Sequence, residues 1–161
     1  MEKEKPKKPK KIKQEGEKNS DSKKIIAVVR ITGQVKLKPE IKNTLERLRL
    51  GKKYSCSIFK ESKDILGMIK KVRDFAAFGE IEKQTLIKLI EKRGKNTENK
   101  KFDAEKIADE LIHGKKLKEL GFKPFFSMHP PIHGIKSKFH YPKGVLGDNK
   151  KDINKLIERM L

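Results

Sequence analysis

Lysine and arginine dominate the chemistry available to this chain, and their spacing says what that chemistry is. In the run Arg47-Leu48-Arg49-Leu50-Gly51-Lys52-Lys53 the cations alternate with leucines and then double. No acid occurs between Glu46 and Glu61, so this charge is uncompensated along the sequence. A second basic block follows in Gly67-Met68-Ile69-Lys70-Lys71-Val72. A third window, Leu120 to Gly147, is also free of acids. It carries Lys123, Lys136, Lys138 and Lys143 with His129, His133 and His140, interleaved with Phe125, Phe126, Phe139 and Tyr141. Cations neutralise phosphates and rings stack on unpaired bases, so the pattern points to nucleic acid, RNA foremost. The plainer alternative is a core strand at Phe122, Phe125 and Phe126 followed by a solvated loop.

Other chemistries find little support. His129 and His133 have the four-residue spacing of a helical zinc motif. Pro130 and Pro131 forbid a helix there, and a structural zinc needs four ligands. Cys56 is the only cysteine, which excludes an internal disulfide and a Cys-based zinc site. It falls on the inward side of a strand pattern, where a thiol is inert. No Gly-x-Ser-x-Gly elbow and no phosphate-cradling glycine loop is present. The chain is therefore read as a non-enzyme without cofactor or metal.

The whole chain balances 42 Lys and Arg against 22 Asp and Glu, a net charge of +20. Such an excess speaks to partners rather than to fold. No apolar stretch reaches the roughly 20 residues needed to span a bilayer. The N-terminus lacks the apolar region of a secretory signal, which suits a cytoplasmic location. Residues 1–24 hold ten lysines, five acids and one aliphatic residue beyond Met1, Ile12. Such a segment cannot bury enough apolar surface to order itself, and is expected to be a disordered auxiliary arm. The remaining chain still carries +15.

The elements that must position these groups begin at Ile25. Ile25-Ile26-Ala27-Val28-Val29-Arg30-Ile31 is a β-branched run suited to a central strand covered on both faces. Pro39 fits the first turn of a helix. Ile41, Leu45 and Leu48 form its apolar stripe, and Gly51 is available for a left-handed C-terminal cap. Tyr54 to Phe59 alternates as a second strand. Ser62 is placed to cap a second helix with the stripe Ile65, Met68, Ile69 and Val72. Gly67 within that helix reads either as close helix packing or as close approach of an RNA backbone. A third strand runs from about Ala77 to Ile81. This gives strand–helix–strand–helix–strand over 25–81, with helices packed on a small sheet. Residues 82–161 are mainly helical. Helices are marked by Leu86, Leu89 and Ile90, then by Ile107, Ala108, Leu111 and Ile112, and finally by Ile153, Leu156, Ile157 and Met160. A basic Pro/Gly loop precedes the last of them.

Taken in order, Ile25 to Ile31, Leu48-Arg49-Leu50, Gly67 to Val72 and Phe78-Gly79-Glu80-Ile81 resemble the L-thirty family of large-subunit ribosomal proteins. The continuation resembles its long archaeal form, through Arg93-Gly94, His129-Pro130-Pro131, Gly134-Ile135-Lys136, Leu146-Gly147 and the closing Ile153 to Met160. The sequence departs from the family at Leu66 and at Ser127-Met128, where arginine is usual at or near these places. The resemblance implies an α/β (α+β) fold, with a ferredoxin-like small antiparallel sheet, two helices on one face and a mainly helical C-terminal extension. It also implies a structural constituent of the large ribosomal subunit, contacting large-subunit rRNA and neighbouring ribosomal proteins in the cytoplasm.

The residues expected to bind rRNA are Arg47, Arg49, Lys52, Lys53, Lys70, Lys71, His129, His133, Lys136, Lys138 and Lys143. Arg30 joins them, although it could simply end its strand. The rival reading is a free-standing DNA- or chromatin-binding protein, or an RNA-assembly factor, which the same charge permits.

Overall fold

The computed structural model describes residues 24–96, 102–135 and 137–161. Except for Lys24, the lysine-rich arm lies outside them, as does Lys136. The chain runs β1 (Ile25–Arg30), α1 (Pro39–Arg47), β2 (Ser55–Lys60), α2 (Lys63–Lys71), β3 (Ala76–Glu80), α3 (Lys83–Arg93), α4 (Ala104–Ile112), β4 (Phe126–Ser127) and β5 (Gly147–Asp148). A short 3-10 turn, Lys150–Asp152, leads into α5 (Ile153–Glu158).

One five-stranded sheet has the order β4-β2-β1-β3-β5. The β-branched run occupies its centre, as its composition predicts. β1 pairs antiparallel with β2, Val28 opposite Ser57, and with β3, Val28 opposite Phe78. Two-residue strands from the second half extend both edges. β4 pairs antiparallel with β2, whereas β5 runs parallel to β3, so the sheet is mixed rather than purely antiparallel.

Alternation along β1 builds two cores. Ile26 and Val28 face α1 and α2, packing with Leu45, Leu48, Leu50, Ile69, Val72 and Ala76. Ala27 and Val29 face the other way, joining Cys56 and Ala77 with Leu86, Leu89 and Ile90 of α3, Ile107 and Leu111 of α4 and Ile153 and Ile157 of α5. Helices thus cover both faces, and the second half supplies the third layer that the reading of 25–81 lacks. At Gly79 a β-carbon would strike the Lys150 carbonyl and the Ile153 side chain, so the glycine lets the C-terminal segment lie directly on β3. Full burial pushes the Cys56 thiol up to about 12, so it stays protonated.

Two local expectations differ from the structure. Ser62 stands at the N-cap of α2, but its side chain makes no capping bond. The left-handed residue that ends α1 is Arg49 (φ 58°), not Gly51. The Arg49 N–H donates to Glu46 O (2.9 Å) and the Leu50 N–H to Leu45 O (2.8 Å). That pair of bonds is a Schellman cap, with Leu50 packed in the same core as Leu45.

Candidate nucleic-acid interface

Strand direction gathers the basic segments at one end of the sheet. β1 finishes there, while β2 and β3 start there, because both are antiparallel to β1. The chain leaving β4 emerges at this end, since β4 opposes β2. The chain leading into β5 arrives from it, since β5 follows β3. The α1–β2 turn, the C-terminus of α2 and the stretches 129–135 and 137–146 therefore share one end. Cross-links between them agree. Tyr54 N–H donates to Arg30 O (2.8 Å), Met128 N–H to Tyr54 O (3.0 Å), and Ile31 N–H to Phe75 O (3.1 Å).

Arg30 braces this end from inside. It is 1% exposed. Its guanidinium donates to the carbonyls of Thr32 (3.0 Å), Leu50 (2.8 Å), Gly51 (3.0 Å) and Gly33 (2.8 Å). Gln34 Nε2 also donates to Gly51 O. Burial lowers the Arg30 pKa from its ordinary value, yet guanidinium remains charged. Four of its five donors are directed at loop carbonyls, and at 1% exposure Arg30 offers no face to a phosphate. It fixes the α1–β2 turn instead.

That turn presents Arg47, Arg49, Lys52 and Lys53, all exposed. Leu48 and Leu50 point into the core at 0% exposure, which turns Arg49 outward between them. Lys53 Nζ lies 4.6 Å from the centre of the Tyr54 ring, a cation–π contact. Lys70 and Lys71 are exposed at the end of α2, where Lys71 pairs with Glu40 at 3.3 Å. Gly67 is exposed and a β-carbon there would meet nothing within 4 Å, so close helix packing does not explain it.

His129 and His133 are exposed on a loop stapled to the C-terminal helix. Arg159 donates to Ile132 O through Nη2 (2.7 Å) and Nε (3.1 Å), and to Gly134 O (2.7 Å). Ile132 N–H returns a bond to Arg159 O (2.9 Å). Lys138 and Lys143 are exposed on the following loop. His140 Nε2 lies 3.0 Å from Asp74 Oδ1, and the Tyr141 hydroxyl donates to Asp152 Oδ2 at 2.7 Å. That hydrogen bond, with Lys155 adding to it, holds the Asp152 carboxyl below its usual range. The same bond raises the Tyr141 hydroxyl. Arg159, Asp74 and Asp152 carry no sequence signal of these roles; each reads as an ordinary surface charge.

Two acids at this end are thus engaged. Asp74 takes His140 and Arg73 (3.5 Å), and Asp152 takes Tyr141 and Lys155 (3.1 Å). Among the described residues no three His, Cys, Asp or Glu side chains group to hold a metal. What remains available is phosphate neutralisation by clustered cations on a rigid support.

Relatives place this arrangement in a class. The family model for ribosomal protein L30p/L7e matches residues 26–75. Large ribosomal subunit protein uL30 of Archaeoglobus fulgidus is 39% identical over 151 residues, covering 84% of this chain and 99% of that protein. The protein of the same name from Nanoarchaeum equitans is 38% identical over 154 residues, covering 85% and 99%. That of Caldivirga maquilingensis is 35% identical over 169 residues, covering 85% and 91%. The chain belongs to the L30p/L7e family of ribosomal proteins, in its long archaeal form. It is a structural ribosomal protein, not an enzyme.

Proposed function

We propose that this chain is a constituent of the cytoplasmic large ribosomal subunit and holds large-subunit rRNA through phosphate contacts. Arg47, Arg49, Lys52 and Lys53 form one group of contacts, and Lys70 and Lys71 a second. His129, His133, Lys138 and Lys143 belong to the flanking loops, and Lys136, outside the described residues, is assigned with them from the sequence. Arg30 acts from within by holding the first group in place. The observation that supports this reading is the convergence of four separate basic segments on one end of a single sheet, where Asp74 and Asp152 are already engaged. Neighbouring large-subunit proteins are the expected protein contacts.

The test is affinity for large-subunit rRNA across a salt series, together with sedimentation of the tagged protein from lysate. Neutralising six to ten phosphates lowers affinity by about 10³–10⁵ between about 50 and 200 mM salt. The protein should travel with the large subunit at low and moderate salt. A shallow salt dependence, or equal binding to duplex DNA with migration away from the subunit, refutes the proposal in favour of a free-standing DNA-binding protein.

A further inference from the structure

Phe139, His140 and Tyr141 are three consecutive rings with different fates. His140 is tied to Asp74 (3.0 Å) and Tyr141 to Asp152 (2.7 Å). Among the described residues the Phe139 ring makes no aromatic or cation–π contact, and the residue is 70% exposed. A single exposed apolar side chain is ordinary on a protein surface. This one differs because the loop beneath it is built to hold it still. Leu146 N–H donates to Phe139 O (3.1 Å), Tyr141 N–H to Leu146 O (2.8 Å) and Gly144 N–H to His140 O (3.0 Å). The Ser137 hydroxyl donates to Lys143 O (2.9 Å). Gly144 lies so close to the Phe139 backbone that a β-carbon would collide with its N, C and O atoms. Gly147 (φ +85°) passes against the His140 ring, where a β-carbon would come within 3.0 Å of Nδ1. Every one of these contacts orders the loop, and none buries the Phe139 ring.

The charge around the ring selects its occupant. Lys138 and Lys143 are exposed, and among the described residues neither enters an ion pair. An apolar protein contact is poorly matched to such a frame, because interface cores are depleted in lysine. A nucleotide matches it, offering a π-face to the ring and phosphates to the flanking cations. The bases of an A-form helix are stacked on one another and present only a shallow groove, so the nucleotide must be unpaired.

We propose that Phe139 is a preformed stacking platform for one unpaired base of the bound RNA, with Lys138 and Lys143 on its neighbouring phosphates. The inference rests on the rRNA-binding reading above and adds a base contact to the phosphate contacts. Stacking tolerates any base, so the platform recognises an unpaired nucleotide at this position rather than its identity.

The experiment compares the full chain with Phe139→Ala, Phe139→Leu and Phe139→Tyr, using in vitro transcribed large-subunit rRNA from the same cells. Affinity is read over a salt series and folding by thermal unfolding. Ala and Leu are expected to weaken binding by about 5- to 150-fold, with Tyr close to native. The salt slope and the melting temperature should not move, because no charge and no core contact is removed. Native-like binding by the Ala variant overturns the proposal. So does native-like binding by the Leu variant, which would show that apolar bulk rather than a stacking ring is what the position supplies. A steep native salt slope with an indifferent Ala variant removes the platform alone. A shallow native slope removes the phosphate-gripping reading and the platform with it.

Discussion

Replacing Arg49 by glycine should make the protein more stable and a worse RNA binder. Arg49 sits at φ 58°, at the C′ position of the Schellman cap that ends α1. An L-residue in the left-handed region carries a penalty of roughly 1–2 kcal/mol that glycine escapes. Glycine loses more backbone freedom on folding, about 0.5–1 kcal/mol, which offsets part of that gain. The net expectation is stabilisation of about 0.5–1 kcal/mol, or a rise of a few degrees in melting temperature. The molecule contains its own reference for the comparison. α4 ends in the same bond pattern, with Gly114 at φ +102°, Gly114 N–H to Leu111 O (3.0 Å) and Lys115 N–H to Glu110 O (3.0 Å). On the binding side, loss of one phosphate contact should reduce the salt slope by about 1 and lower affinity at low salt. Arg49→Ala separates the two effects, because it keeps the strained backbone and removes only the guanidinium. Its affinity should match that of the glycine variant, and its stability should stay within about 0.5 kcal/mol of native. Urea unfolding and filter binding to large-subunit rRNA read the two quantities. A glycine variant that is less stable than native contradicts the account of the cap. Variants that bind RNA with an unchanged slope contradict the role given to Arg49.

Arg30→Met removes the donor shared by the Thr32, Gly33, Leu50 and Gly51 carbonyls, and should lower stability by about 2–4 kcal/mol in urea unfolding. A change under about 0.5 kcal/mol would show that the guanidinium does not brace the turn. Gly67→Ala adds a methyl group at an exposed helical position with open space around it, and should stabilise α2 by about 1 kcal/mol. If the RNA backbone approaches that face closely, the same variant loses RNA affinity despite its stability. Unchanged affinity places the backbone elsewhere.

The sheet and its first two helices were legible because each rests on a local pattern. β-branched residues fill β1, and the stripes Leu45–Leu48 and Ile69–Val72 mark the helix faces that meet it. The cap of α1 was not legible from residue preference, which favours Gly51. Burying Leu48 and Leu50 on either side of Arg49 set the turn instead, and the residue between two buried leucines had to take the left-handed conformation. The charge of Arg30 looked like that of a site, but its partners are backbone carbonyls as far as 21 residues away, which leave no mark in a sequence. The later loops were readable as basic, aromatic and acid-free. Their place was not, since it depends on two-residue pairings at the sheet edges and on clamps by Arg159, Asp74 and Asp152.

Strain and charge coincide in this protein, and the coincidence bears on what that end of the sheet is for. Among the described residues, five non-glycine residues have positive φ: Lys36, Arg49, Tyr54, His133 and Lys150. The first four lie in the loops at the basic end, and three of those are Lys, Arg or His. Positions of this kind cost of order 1–3 kcal/mol each and persist only where the surroundings over-determine them. Here the surroundings do so. Arg30 holds the first turn from inside and Arg159 holds the loop of His133 from the C-terminal helix. Stability alone would favour glycine or asparagine at these places. A long cationic side chain kept on a left-handed backbone is what the proposed polyanion contact would require there. Electrostatic preference by itself would be met by any exposed lysine. The strained, internally braced positions therefore fix the spacing of these charges, as the proposed contact with one folded RNA surface requires.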